Sequence, residues 1–320
     1  MAPIALQVTR AGFSVLGLLS PTLAGKAAFR LFCRTPSRRV RSEKERAVLA
    51  AAGRRMESAT HTNLAVPGGT IASYRFPASD DAGLQDAVPG PVLVVHGWAS
   101  RSEHMMAIID GIRQSGRDVV AIDLPGHGRS SGRKLNLPMG VRAIDAAWRH
   151  HGPFEAMVGH SFGGVVALNA AQGSVAGVDA RRPARLALIA APASIPELFA
   201  MVAGWLGISG RARQVFEGEV LRLTGRPLAR FDGASQLSEV DVPTLIVHAR
   251  DDKEVPSANA ETYVSAGPHV QLSWADGLGH RRIIGARSVV ELIGSFLGPE
   301  RDAVGGPFSV IAADPSCSGR

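Results

Sequence analysis

The chain has 320 residues, of which 45% are hydrophobic and 20% charged, a composition that argues against a disordered or fibrous protein and leaves room for one large α/β domain or two ordinary ones. Its formal net charge is +7, but the excess lies in residues 1–60 and no groove-reading motif accompanies it, so we expect no nucleic-acid partner. Two cysteines near opposite ends, Cys33 and Cys317, argue against a disulfide framework and favour a reducing, cytoplasmic location.

Residues 1–60 are predicted to form a basic, partly apolar N-terminal arm with helical spacing. The longest charge-free run, 11–25, is interrupted by Pro21 and is too short for a clear spanning helix. We expect the arm to pack on the body of the protein. Two alternatives stay open: contact of residues 1–45 with a membrane surface beside the arginines, and a secretory signal or anchor, which the low charge before the apolar run disfavours.

From residue 61 onward, short apolar runs alternate with stretches of helical spacing. Such alternation predicts βαβ units and a mostly parallel, twisted sheet with helices on both faces. The predicted strands lie in HTNLAVPGGTIASYRFP, which reads as a hairpin, and then in PVLVVHGW, DVVAID, FEAMVGH, ARLALIAA, VPTLIVH and HVQLSW; helices are predicted near 103–114 and 140–151, in VVALNAAQG, and near 284–297.

The alternation stops between residues 195 and 241, where helical periodicity continues without strands. We expect this interval to be a small helical cap over the carboxyl ends of the strands. The α/β core then comprises residues 61–194 and 242–298, and residues 299–320 form a flexible tail. Apolar cap side chains could line a substrate pocket or merely pack the cap onto the core: Leu198, Met201, Val202 and Trp205.

The stretch VGHSFGGV places Ser161 where a buried strand ends and a helix begins. A sharp turn at this point leaves no room for side chains at the flanking positions, and Gly159 and Gly163 meet that demand. The turn exposes the Ser161 hydroxyl and directs the backbone amide of Phe162 toward the same space. The G-x-S-x-G pattern alone is only moderately specific, but here the strand before it and the helix after it are both predicted. We therefore predict a serine nucleophile with one oxyanion donor beside it.

A serine hydroxyl needs a base to take its proton and a carboxylate to orient that base. The stretch VPTLIVHARDDKEVP places Asp251 and Asp252 at the carboxyl end of a buried strand, and DGLGHRRII places His280 in the loop after the last strand. No histidine pair has convincing metal-ligand spacing, and GHGRSSG fails the dinucleotide-binding pattern by one residue. We expect neither a metal nor a cofactor.

Five stretches occur in one order along the chain: VVHGW, DLPGHGRSSG, GHSFGG, HARDDKEVP and GLGH. Through them, residues 65–298 resemble the α/β-hydrolase fold superfamily and its serine esterases and lipases. The resemblance implies that fold. The family pattern H-G-x-x-D-x-x-V-P implies Asp252 rather than Asp251 as the triad acid, although Ala249 stands where glycine is usual. It also implies the backbone amide of Trp98 as the second oxyanion donor.

These residues predict a cofactor-independent serine hydrolase that cleaves a small-molecule carboxylic ester through an acyl-enzyme. By the same resemblance, a serine nucleophile argues against the haloalkane dehalogenase and epoxide hydrolase branches. Hydrolysis of a thioester, lactone, C–C or peptide bond, or perhydrolysis, stays open on the same triad. An alternative of another class is a catalytically silent protein that keeps the fold and binds a ligand. Neither the natural ester nor the oligomeric state is predicted.

Overall fold

The computed structural model describes residues 4–40, 42–79 and 90–298, so the predicted tail at 299–320 lies outside the described residues. Eight strands form one sheet in the order β1-β2-β4-β3-β5-β6-β7-β8. The first hairpin is antiparallel, β2 pairs antiparallel with β4, and every other neighbouring pair is parallel. The strands span β1 Thr60–Val66, β2 Gly69–Phe76, β3 Val92–Val95, β4 Val119–Ile122, β5 Ala156–His160, β6 Arg185–Ile189, β7 Thr244–His248 and β8 Val270–Trp274.

Helices cover both faces of this sheet, which confirms the predicted α/β-hydrolase fold. The central strands read as continuous apolar runs because both faces are buried: every residue of β3 and β4 is buried. The helices span α1 Ile4–Leu19, α2 Pro21–Phe32, α3 Glu43–Met56, α4 Met106–Gln114, α5 Leu137–His151, α6 Phe162–Gln172, α7 Ile195–Leu206, α8 Gly210–Thr224, α9 Gly233–Val240, α10 Ala258–Val264, α11 Gly279–Arg282 and α12 Arg287–Leu297.

Two apolar layers hold the helices against the sheet. On one face, buried side chains of α5, α6, α9 and α10 pack against the strands. On the other face, α3, α4 and α12 do the same. Gln236 on α9 donates a side-chain hydrogen bond of 2.8 Å to Asn169 in the second half of α6. Helix α6 is thereby held between the sheet and α9.

A third apolar cluster joins the N-terminal arm to the helical interval that follows residue 195. Helices α1 and α2 pack against α7 and α8, and the rings of Phe29, Phe32, Phe199 and Phe216 meet at centroid distances of 4.7 to 6.4 Å. At the crossing of α2 and α8, a Cβ on Gly25 would meet the Ala212 carbonyl oxygen at 2.5 Å. Within the described part of the chain, no helix is both long and apolar enough to cross a membrane.

Candidate active site

The turn between β5 and α6 holds Ser161 in a backbone conformation that residues with side chains rarely adopt, with φ +53° and ψ −124°. Strand and helix approach closely on both sides of it. A Cβ on Gly163 would collide with carbonyl oxygens at the end of β3, and one on Gly159 would collide with the backbone of α6. The two glycines therefore have the steric role that the sequence pattern predicts. Ser161 is the strained residue of this turn, and it lines a cavity.

The imidazole of His280 lies between the serine and a carboxylate. Its Nε2 is 3.0 Å from the Ser161 hydroxyl oxygen, and its Nδ1 is 2.8 Å from a carboxylate oxygen of Asp252. Because a carboxylate only accepts hydrogen bonds, Nδ1 carries the proton and Nε2 is left to accept one from the serine. The structure thus brings together the three side chains that the sequence proposed as a triad.

The two neighbouring aspartates after β7 have different surroundings. Asp252 is buried and faces His280, whereas Asp251 is exposed and accepts a hydrogen bond of 2.8 Å from the Gly277 amide. Asp251 thus closes the loop that leads to His280. This division agrees with the choice of Asp252 that the family resemblance implied.

Local hydrogen bonds keep Asp252 charged. Burial by itself would raise the pKa of its carboxyl group, but hydrogen bonds from His280 and from the backbone amides of Val255 and Glu254 outweigh it, so the pKa lies below its ordinary value. The two amides donate to one carboxylate oxygen at 2.9 and 2.8 Å. The other oxygen is left for the imidazole, which holds the ring in one orientation.

A second histidine, His160, fixes the loop that carries His280. Its Nε2 donates a hydrogen bond of 2.9 Å to the His280 backbone carbonyl, and the two rings lie 4.9 Å apart. Burial, and then repulsion from His280, lowers the pKa of His160 to about 4. The ring is therefore neutral at pH 7. The sequence shows that His160 precedes the nucleophile but carries no signal for this contact, since loop positions cannot be derived from periodicity.

The loop after β3 passes directly against the nucleophile, because a Cβ on Gly97 would lie 2.9 Å from the Ser161 Cβ. The next residue, Trp98, stacks edge-to-face on the Phe162 ring at 5.9 Å. Among the described residues, neither the Trp98 nor the Phe162 backbone amide has a hydrogen-bond partner. Two free N–H donors therefore lie on the two elements that adjoin the serine.

Buried polar side chains hold that loop in place. His96 accepts a hydrogen bond of 2.9 Å from the Leu124 amide, and burial lowers its pKa to about 3, so it acts as a neutral acceptor. Asp123 accepts bonds of 2.9 Å from both the amide and the hydroxyl of Ser102. Sequence reasoning missed the role of Asp123, although a carboxylate at the start of DLPGHGRSSG, directly after a buried strand, was a usable signal.

A cavity of about 1060 Å³ opens beside Ser161 and His280, and we call it the serine cavity. All four predicted pocket residues line it: Leu198, Met201, Val202 and Trp205. The arm contributes a wall that the sequence did not predict: Phe29, Leu31, Phe32 and Arg34. The three-residue spacing of Phe29 and Phe32 marks one apolar helix face, but nothing in that spacing tells which surface the face will cover.

No group of three or more His, Cys, Asp or Glu side chains within residues 4–40, 42–79 and 90–298 is placed to hold a metal ion.

A family model described as the alpha/beta hydrolase family matches residues 92–291. The chain is also similar to a non-heme haloperoxidase of Rhodococcus erythropolis, with 30% identity over 241 residues, which cover 59% of this chain and 85% of that protein. Among solved structures, it is similar to a membrane phospholipase A described as a bacterial virulence factor, at 17% identity and TM-score 0.56 over 79% of this chain and 91% of the other. An esterase from Rhodococcus sp. ECU1013 matches at 18% identity and TM-score 0.51 over 75% and 98%. At these identities the two structures show a shared fold only.

Proposed function

The chain belongs to the alpha/beta hydrolase family, and from that premise we propose that it is a serine hydrolase that cleaves a carboxylic ester through an acyl-enzyme. The observation that carries the proposal is one imidazole, that of His280, within hydrogen-bond distance of both the Ser161 hydroxyl and the Asp252 carboxylate. A serine that is only structural has no need of an oriented base at its hydroxyl.

In the proposed reaction the Ser161 oxygen attacks the acyl carbon while His280 Nε2 takes the hydroxyl proton. The imidazolium that forms is stabilised by Asp252 through the bond at Nδ1. His280 then returns the proton to the leaving alcohol, and the C–O bond to that alcohol breaks. Water attacks the acyl-enzyme in the same way, so that the acid is released and the serine is regenerated.

The charge that develops on the carbonyl oxygen needs donors that are already in place. We assign that role to the backbone amides of Trp98 and Phe162, which are unpaired within the described residues. Removal of one such donor typically costs about 3 to 4 kcal/mol of transition-state stabilisation. The strained turn at Ser161 supports the assignment, because it brings the Phe162 amide to the first position of α6.

The wall of the serine cavity favours an apolar acyl or alkyl group in the ester. Leucine, methionine, valine, tryptophan and phenylalanine side chains from α2 and α7 surround it. Met201 and Trp205 also reach the surface, with 41% and 54% of their area exposed. A substrate of this kind would bury its hydrocarbon part and leave its polar part toward the opening.

Labelling with a fluorophosphonate tests the proposal most directly. We expect one adduct per folded chain, located at Ser161 by intact mass and peptide mapping, and none in Ser161→Ala. Ser161→Ala should also lower turnover of p-nitrophenyl esters by roughly a million-fold. A folded wild-type chain that takes no label at Ser161 would instead favour the catalytically silent, ligand-binding alternative. A series of p-nitrophenyl esters of increasing chain length then measures the acyl preference.

The relative from Rhodococcus erythropolis, named a non-heme haloperoxidase, favours a second candidate on the same residues. A perhydrolase would form the same acyl-enzyme, but hydrogen peroxide would attack it in place of water and leave a peracid. Peracid and acid formation from one ester at increasing peroxide concentration distinguish the two activities. Acid as the main product at millimolar peroxide would exclude perhydrolysis as the principal reaction. Thioesters, lactones and amides belong in the same substrate panel.

We further propose a cytoplasmic protein whose arm contacts a membrane surface. Helix α1 packs on α7 with one face only, and Val15, Leu18 and Leu19 on its other face are more than half exposed. Arg30 and Arg34 lie on the surface at the end of α2 and just after it. An arm that carries both exposed apolar side chains and exposed cations favours contact with an anionic lipid surface.

A further inference from the structure

A second cavity, of about 710 Å³, lies beside the serine cavity, and Leu31 and Arg34 belong to the walls of both. We call it the arginine cavity; the segments after α2 and after β4 form it. These segments run antiparallel: the Thr35 amide donates to the Arg133 carbonyl at 3.1 Å, and the Leu135 amide donates to the Cys33 carbonyl at 2.9 Å. Its lining cations are Arg34, Arg38, Arg39 and Arg133.

The charge of this cavity is uncompensated. Residues 34–40 and 124–140 contain no aspartate or glutamate, and among the described residues no carboxylate lies within 4.0 Å of any of the four guanidinium groups. The carboxylate of Glu219, which acts on Cys33 nearby, is already bonded to Arg222 at 2.6 Å. The cavity therefore presents positive charge alone.

Within the described part of the chain, only one of the four guanidinium groups, that of Arg38, hydrogen-bonds to the protein. Arg38 donates to the Gly126 and Gly132 carbonyl oxygens at 3.1 and 2.6 Å, which fixes its position on the loop. Arg34, Arg39 and Arg133 have no side-chain partner among the described residues. In addition, Arg34 lies directly opposite Lys134 in an isolated antiparallel bridge. Like charges in that position repel each other, so Arg34 lies in a locally positive environment.

Guanidinium groups match phosphate oxygens with paired N–H donors, and several of them around one cavity favour an anion of more than one charge. Leu31 and Arg34 line both cavities, so a group bound in one lies next to a group bound in the other. We propose that the arginine cavity binds the phosphate group of an acyl substrate whose ester carbonyl lies at Ser161. The inference rests on the proposed function and specifies its substrate class: acyl esters or thioesters whose leaving group bears phosphate.

Two pairs of substrates of equal acyl length test this inference and identify the source of the phosphate. The first pair is hexanoyl-coenzyme A and S-hexanoyl-N-acetylcysteamine; the second is 1-hexanoylglycerol 3-phosphate and 1-hexanoylglycerol. We expect kcat/KM to be at least about tenfold higher for the phosphorylated member of one pair. The pair that shows the preference tells whether the phosphate belongs to a thiol carrier or to a glycerolipid.

The variants R39Q and R133Q should each move the ratio of kcat/KM for the phosphorylated substrate to kcat/KM for its neutral partner toward one. In the double variant this ratio should fall by about tenfold. R39K and R133K keep the charge but lose the paired donors, so they should retain part of the preference. R182Q is the matched control. Arg182 is exposed and lies before the amino end of β6, whereas Ser161 follows the carboxyl end of β5. It should leave the ratio unchanged. Circular dichroism and Tm of each variant verify that it is folded.

The possible failures are distinct. Ratios near one in both pairs, with the neutral members hydrolysed, would overturn the phosphate site and leave the proposed function intact. A preference that survives in the double variant would place phosphate recognition elsewhere. If no ester is cleaved and Ser161 takes no label, calorimetric titration with coenzyme A and with glycerol 3-phosphate still tests the phosphate site. Binding that R39Q/R133Q weakens about tenfold would support the site. No binding of either ligand would overturn it.

Discussion

At the scale of single residues, the two aspartates after β7 differ in what they do for the imidazole. Asp252 contacts His280, while Asp251 bonds to the backbone of the same loop. Replacing either carboxylate by the isosteric amide changes the volume little, so the two variants form a matched pair that separates orientation of the base from support of its loop.

We expect Asp252→Asn to lower kcat by roughly 10⁴-fold, because an amide at this position favours the wrong tautomer of His280. Asp251→Asn should keep kcat within about tenfold of wild type, since the side-chain oxygen of the asparagine can still accept the hydrogen bond from the Gly277 amide. Steady-state kinetics with p-nitrophenyl butyrate measures both effects. An Asp251→Asn variant as impaired as Asp252→Asn would contradict the proposed triad.

The sequence located those residues of the candidate site that directly follow a predicted strand. Ser161 and Asp252 each follow a buried strand, and His280 follows the last strand of the sheet. Parallel strands bring such positions to one edge. His160 could be located in the same way, but its bond to the His280 carbonyl could not. That bond depends on how the last loop folds back, and no local pattern of residues encodes it.

At the scale of elements, the crossing of α2 and α8 determines one wall of the serine cavity. Gly25 lets the helices approach, and the phenylalanines of the crossing, Phe29 and Phe32, line the cavity. The sequence predicted helices on both sides of this contact. It did not predict that they would meet, because amphipathic periodicity tells which face of a helix is buried and not what buries it.

We expect Gly25→Ala to lower the free energy of unfolding by about 1 to 3 kcal/mol, because the added methyl group would push α2 away from α8. The same shift should raise KM for long-chain esters more than for the acetate. Gly12→Ala on α1 is the control: nothing lies within 4 Å of the new Cβ, and alanine stabilises an exposed helix by up to about 1 kcal/mol. Chemical denaturation of both variants tests this, and equal stabilities would refute the close crossing.

At the scale of the whole molecule, apolar runs and their spacing in the sequence predict the sheet and its helical layers. They do not predict which strands are neighbours in the sheet. Strands β3 and β4 exchange places in the sheet relative to their order in the chain. Both read as buried apolar runs, so the sequence alone does not tell which lies beside β5. The path of the connections decides it, since right-handed crossovers restrict the order.

The arm is the part of the whole molecule through which we expect membrane contact. Leu18 and Leu19 are 87% and 80% exposed, so replacing both by glutamate disturbs little internal packing. L18E/L19E should bind anionic phospholipid vesicles at least about tenfold more weakly than wild type, because two leucines that would enter the lipid are lost and two negative charges are added. Val264→Glu on α10 is the control and should bind as wild type does. Sedimentation with vesicles measures binding, and a wild-type chain that stays in the supernatant would refute the contact.

The position of the arm in the chain also has a consequence for synthesis. Helices α1 and α2 leave the ribosome well before α7 and α8, which cover their apolar faces and follow only after most of the sheet. Translation proceeds at about 5 to 20 residues per second, so the faces around Phe29 and Phe32 stay uncovered for several seconds on every nascent chain. During that time they present to chaperones, and to neighbouring nascent chains, the same surface that later lines the serine cavity.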